Sequence, residues 1–250
     1  MLRLVELKEI KMSEKTVIVT GGSQGIGEAI TRRFIDEGYN VVSTSRNISK
    51  SSLRATDKLL LVDGDVGNRD TAEKVVAAAV KAFGGVDVLV NNAGIFMVKP
   101  FLEYTLEDFR NLANTNLEGF MHMSQAVIGQ MLKQDRAGSI VSITTPYIHH
   151  PIQGLNIAVA MMTKGGIEAA SKNLAMEFAK AGIRVNTVAP GIVDTPLQKE
   201  NPKEFLASLS PIHGISTPEE IADAVLFLAR AKRITGETIS VDGGAHLGRW

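Results

Sequence analysis

Thr20-Gly21-Gly22-Ser23-Gln24-Gly25-Ile26-Gly27 sets four glycines between a short β-branched run and an amphipathic stretch. Glycine lets the backbone turn sharply and pass close to a ligand. A helix N-terminus adds free N–H groups and a positive dipole end, so the segment suits a pyrophosphate. A second chemical cluster is Thr145-Pro146-Tyr147-Ile148-His149-His150-Pro151, with two hydroxyls and two imidazoles in seven residues. Imidazoles titrate near neutrality and suit proton transfer, while a phenol can donate to a carbonyl oxygen. Adjacent histidines without further ligands make a poor metal pair, so no metal is expected. The third is Ala160-Met161-Met162-Thr163-Lys164. In a helix its two ends share one face, a single turn apart. None of the three tyrosines, Tyr39, Tyr104 and Tyr147, is followed by a lysine four residues later.

The elements that must position these groups alternate along the chain. Thr16–Thr20, Asn40–Thr44, Lys58–Val62, Val86–Val90, Ser139–Ile143, Ile183–Val188 and Thr238–Val241 read as strands. Helical patterns lie between them, the longest over Thr105 to Lys133, with room for a bend. Such alternation is the signature of a parallel sheet covered on both faces. In Thr217-Pro218-Glu219-Glu220 the threonine suits an N-cap, the proline the first helical position and Glu220 the capping-box position.

The 250 residues fit one domain, and 44% hydrophobic content is enough for a substantial core. Charges balance at 27 basic and 27 acidic, with no long basic run, which argues against nucleic-acid and anionic-membrane partners. Without cysteine there is no disulfide, thiolate nucleophile or cysteine-based metal site. No stretch is apolar enough to span a bilayer and the first residues do not form a signal peptide, so a cytoplasmic location is expected. Met12-Ser13-Glu14-Lys15 offers a second start just before the first strand. Residues 1–11 are therefore expected to be a weakly ordered extension, with a short amphipathic helix as the alternative, and residues 12–250 the domain.

Asp65-Val66 follows the third strand and Asn91-Asn92-Ala93-Gly94 the fourth, and Asn116 lies in the long helix. Lys164, Pro190-Gly191 with Val193 and Thr195, and Val241-Asp242-Gly243-Gly244 complete the order. With the glycine-rich turn, these residues make the chain resemble the short-chain dehydrogenase/reductase family over about residues 14–244. The resemblance implies an α/β fold: a single Rossmann-type, doubly wound domain with a seven-stranded parallel sheet and helices on both faces. It also implies site roles. Gly21, Ser23, Gln24, Gly25, Ile26 and Gly27 would line the pyrophosphate and adenosine ribose, with Asp65 and Val66 at the adenine. Asn92, Ala93 and Gly94 would floor the cofactor, and Pro190, Gly191, Val193 and Thr195 would hold the nicotinamide amide. Turn or cap chemistry is the alternative for Asp65 and Thr195. After the second strand, Thr44-Ser45-Arg46 carries hydroxyls and a cation but no carboxylate. Arg46 can grip a 2′-phosphate, with Ser45 beside it, so the expected cofactor is NADP(H).

The same resemblance assigns Asn116 a water chain, Lys164 the nicotinamide ribose, and Thr145 the place of the family's serine, with Thr144 as the near alternative. The family's tyrosine position holds Ala160, which has nothing to ionise. Its replacement is expected in the neighbouring loop, at Tyr147 first, then His149 or His150, with Lys164 donating directly or through water as a further route. Phe96, Met97, Tyr147, His150, Met161, Leu197 and Phe205 are the expected substrate walls, with Val98 and Phe101 nearby. The loose segment of about residues 194–216 is expected to close over the substrate. These residues suggest an apolar or aromatic ketone, or the corresponding secondary alcohol. The expected function is an NADPH-dependent carbonyl reductase with a non-standard proton donor, assembled as a homodimer or homotetramer. The alternative is a catalytically weak NADP(H)-binding sensor or assembly protein.

Overall fold

Runs of valine, isoleucine and leucine, each ended by glycine or a polar turn, build the sheet of this computed structural model, which describes residues 14–199 and 202–248. The expected extension at residues 1–11 lies outside the described residues. The strands are β1 Thr16–Thr20, β2 Asn40–Ser45, β3 Leu59–Asp63, β4 Val88–Asn91, β5 Gly138–Ile143, β6 Ile183–Pro190 and β7 Thr238–Val241. All pair in parallel, in the order β3-β2-β1-β4-β5-β6-β7. The direction of winding reverses between β1 and β4. In such sheets that reversal opens a crevice at the carboxyl ends of the strands.

Side-chain alternation sends successive residues to opposite faces, so each strand feeds two cores. Val17, Val19, Val88 and Val90 face α1 (Gly25–Asp36) and α7 (Pro218–Arg230), meeting Ile30, Phe34, Ile221 and Val225. Ile18, Leu89 and Ile140 face α2 (Arg69–Phe83) and α4 (Gly119–Lys133), meeting Val75, Ala79, Met123 and Met131. The expected capping box forms: Glu220 N donates to Thr217 Oγ1, and Thr217 N donates to the Glu220 carboxylate.

The long helix is not one regular element. It comprises α3 (Leu106–Ala113), a π-helical turn at Asn114–Glu118 and then α4. Gly119 opens α4 where a Cβ would come within 2.7 Å of Val66 Cγ2, so close packing against the loop after β3 requires glycine there. The lysine helix is α5 (Ala158–Glu177), and a short α6 (Lys203–Ala207) lies in the loose segment. No helix among the described residues is long and apolar enough to cross a membrane.

Phe34 is fully buried in the seam between α1 and α7. Phe34→Ala is expected to cost about 3–5 kcal/mol in urea unfolding, from lost burial and the cavity left behind. A loss below about 1 kcal/mol would show that the seam collapses to fill the space.

Candidate active site

The glycine-rich turn is held by a knot of hydrogen bonds at the crevice. Thr20 Oγ1 accepts from Asn92 N and Ala93 N, both at 3.0 Å, and donates to Val90 O. Asn92 Nδ2 donates back to Thr20 O at 2.9 Å and Gly21 O at 3.2 Å. Gly21 has φ +68°, and a Cβ on it would sit 2.8 Å from Ala93 Cα. Only glycine meets both demands. Gln24 at the start of α1 makes no side-chain cap bond, so the first-turn N–H groups are left for a ligand anion. The turn is thus shaped for a phosphate.

At the end of β2, Arg46 is exposed and makes no hydrogen bond or ion pair among the described residues. The neighbouring Ser45 Oγ is enclosed without a partner, so Arg46 is the group able to reach a phosphate directly. Asp63, in register with Ser45, is taken up by Ser49, whose hydroxyl and N–H bonds hold its carboxyl below the ordinary value. Asp65 Oδ1 closes its own turn by accepting from Gly67 N, and Val66 is buried beside it.

Lys164 lies one turn beyond Ala160 on α5, and both are buried. Its Nζ donates to Ile143 O at 2.8 Å. Burial lowers its pKa to about 8. A Cβ placed on Gly94 would lie 3.2 Å from both Lys164 Nζ and Asn116 Oδ1, so the loop after β4 brings the two together. The Asn116 amide accepts from Ile95 N at 2.9 Å and donates to Ile95 O and Thr163 Oγ1. Its side chain therefore fastens that loop to α5. Thr144 is committed to β6, its N and Oγ1 both donating to Val188 O. Thr145 is buried and carries no side-chain hydrogen bond among the described residues, which makes it the available hydroxyl of the pair.

Ala160 is closed over by apolar side chains. With Tyr147 and Ile157 it forms a small buried cluster, packed by Phe96, Ile152, Leu155, Met161 and Ile192. Tyr147 is 6% exposed, and its hydroxyl is enclosed without a partner. Burial, then the charge of Asp242, pushes its pKa up to about 12.

Of the expected walls, Phe96, Met161 and Tyr147 meet here. Met97 lies outside that cluster, its carbonyl accepting from Tyr104 Oη, and Leu197 is 66% exposed. The Phe205 side chain lies outside the described residues. His150 stands apart from this cluster. Pro146 O accepts from both His149 N and His150 N, a turn that keeps Tyr147 inside and sends the two imidazoles outward. They line a cleft of ≈ 340 Å³ between α5 and β7, with Glu168, Lys172 and His246. Sequence reasoning missed Ile152, Leu155, Ile157 and Ile192; three apolar residues within a polar connection were the available signal.

Past β6, Gly191 packs so tightly on Asp242 that a Cβ would approach its Cβ to 2.8 Å. Val193 is buried and bridges Ser216, and Thr195 lies against Gly25, where a Cβ would come 3.2 Å from Thr195 Cγ2. The start and end of the loose segment are thereby fastened beside the glycine-rich turn.

Residues 21–246 match the family described as Enoyl-(Acyl carrier protein) reductase. The chain is 35% identical over 247 residues to 3beta-hydroxysteroid dehydrogenase 1 of Eggerthella lenta, covering 93% of this chain and 94% of that one. Among solved structures it resembles 3-ketoacyl-(acyl-carrier-protein) reductase from Brucella melitensis complexed with NADH. The TM-score is 0.87 at 29% identity, covering 93% and 98% of the two chains. ElxO with NADP bound is similar at TM-score 0.84 and 31% identity, covering 93% and 98%.

A lysine with a lowered folded-state pKa binds fewer protons folded than unfolded. Lys164 should therefore add stability as pH rises from about 8 to 10.5, and none below that window. NMR of the lysine ε-methylene groups should show one signal titrating near pH 8 that disappears in Lys164→Met. A Lys164 signal titrating at the ordinary 10.5 would refute the burial argument.

Proposed function

This chain belongs to the short-chain dehydrogenase/reductase family, and on that premise we propose that it is an NADP(H)-dependent reductase of apolar or aromatic ketones. The observation that carries the reading is the Tyr147 phenol, buried without a partner in the same cluster as Ala160. A buried hydroxyl without a partner costs about 1–3 kcal/mol, and a substrate carbonyl oxygen would relieve that cost. Such a carbonyl would displace Ile152 and Leu155, which now close the site.

The cofactor assignment rests on residues fitted to it. Gly21 and Gly25 have φ +68° and +55° and admit close approach, and the start of α1 is uncapped. Arg46 stands where a 2′-phosphate would lie, with no carboxylate beside it on β2 to repel the charge. Ser23, Gln24, Ile26, Asp65, Val66, Asn92, Ala93, Pro190, Gly191, Val193 and Thr195 complete the proposed contacts. ElxO, similar in fold, is described with NADP bound. NADPH supplies the hydride when bound.

The remaining work falls to side chains. Thr145 donates a hydrogen bond to the substrate oxygen. Lys164 binds the ribose and carries positive charge below about pH 8. Tyr147 gives up the proton. Its pKa of about 12 leaves it able to protonate an alkoxide. As a base for the reverse reaction it would be ionised only to about one part in 10⁴ at pH 8. At neutral pH the phenol is therefore held in the protonated form that reduction needs. The bond of Lys164 to Ile143 O favours a second reading, a cofactor-binding sensor with little turnover. Exposed Met121 and Leu132 on α4, with Met162 and Met176 on α5, support assembly as a homodimer or homotetramer through these helices.

A panel of apolar and aromatic ketones should give NADPH oxidation above background, and Tyr147→Phe should lower kcat by about 10²-fold. Tight NADPH binding with no turnover of any ketone would support the sensor. Arg46→Asp should move the ratio of kcat/KM from NADPH toward NADH by at least about tenfold; an unchanged ratio would remove Arg46 from the phosphate site.

A further inference from the structure

The Tyr147 hydroxyl makes no hydrogen bond, so nothing on the phenol itself fixes its place. Its position comes from packing and from the turn at Pro146–Ile148 that holds it. His149 closes that turn, its N–H donating to Pro146 O. Its side chain reaches α5, where Nε2 lies 2.8 Å from Glu168 Oε1. A carboxylate oxygen is an acceptor, so Nε2 carries the proton. Among the described residues this is the one hydrogen-bonded side-chain tether from residues 146–150 to α5.

Glu168 is suited to anchor it. Ala160, Lys164 and Glu168 follow at four-residue intervals and form one buried stripe of α5. Glu168 is 4% exposed, and Lys172 Nζ also donates to its Oε1 at 2.8 Å. Burial pushes its carboxyl up, but the bonds from Lys172 and His149 outweigh that and hold it below the ordinary value. The acceptor is therefore charged, and a hydrogen bond to a charged group is roughly twice as strong as a neutral one. The helix that presents Ala160 and Lys164 to the site thus also grips the turn that carries the phenol.

The geometry points to His149 as the positioning residue for Tyr147, with Glu168 as its anchor. This rests on the donor role given to Tyr147 above. His149 touches neither substrate nor cofactor in this assignment and acts through the turn. Loss of the tether lets the turn drift, and a displacement of about 1 Å at a reacting group can cost up to 10²-fold in rate.

Four variants test it in ketone reduction with NADPH: His149→Ala, His149→Gln, Tyr147→Phe and the double variant Tyr147→Phe with His149→Ala. The His149 side chain is 55% exposed, so its replacement leaves the core intact, which thermal melting checks. H149A should lower kcat about tenfold while KM changes less than about twofold. H149Q keeps a donor at the place of Nε2 and should recover most of the rate. In the Y147F background H149A should cost nothing further. Multiplicative losses in the double variant, or H149Q as slow as H149A, would overturn the positioning role while leaving the donor role intact. An unchanged Y147F rate would overturn the donor role and this inference with it.

Discussion

The hydroxyl of Thr20 fixes the floor of the site. It accepts two backbone N–H groups from the loop after β4 and donates to Val90 O within that strand, while Asn92 returns one bond to the end of β1 and one to the glycine-rich turn. The strands on either side of the reversal are thereby locked at their carboxyl ends. Everything downstream takes its position from that lock. The glycine-rich turn is pressed against Ala93, Gly94 lies beside Lys164 Nζ and Asn116 Oδ1, and Asn116 ties Ile95 to Thr163 on α5. The glycine-rich turn and the lysine stripe are thus parts of one connected network, not two regions that happen to adjoin.

Within that network Ala160 changes the chemistry more than the structure. An alanine at this point of α5 needs no partner, and apolar side chains from the connection before α5 close over it. Lys164 keeps its place because Ile143 O accepts a hydrogen bond from its Nζ. The cost of the arrangement appears in polar atoms left alone, the Tyr147 hydroxyl and Glu168 Oε2, each worth about 1–3 kcal/mol. Ser45, His122, Ser139 and Ser171 also carry enclosed polar atoms without a partner, so the turn is one of several such places among the described residues.

Much of this was legible in the sequence for local reasons. Short β-branched and leucine runs gave every strand, glycine spacing gave the tight turn after β1, and Thr217 with Glu220 gave a cap, because each is written in neighbouring residues. The four-residue step from Ala160 to Lys164 placed both on one face of α5. What stayed hidden depended on contacts across the chain or on irregular backbone. No periodicity told Tyr147 to face inward and His150 outward, since the turn that decides it hangs on one carbonyl, Pro146 O. The pairing of His149 with Glu168 joins residues 19 apart, and a glutamate amid a helix reads as a solvated charge. Asp65 took part in its own turn, a use the sequence had left open.

The π-helical turn at Asn114–Glu118 has a consequence for how the two halves of its helix are phased. One additional residue in a turn rotates all that follows by about 100° about the helix axis. Before the bulge α3 packs on α5, and after it α4 packs on α2. A regular helix of the same sequence would have to choose. Seating Asn116 against the loop after β4 would swing Met123, Val127 and Met131 out of the core, and burying them would turn the amide away from Ile95. The irregularity is a phase correction that lets one rod serve two partners, and it falls on the asparagine that ties the loop after β4 to α5.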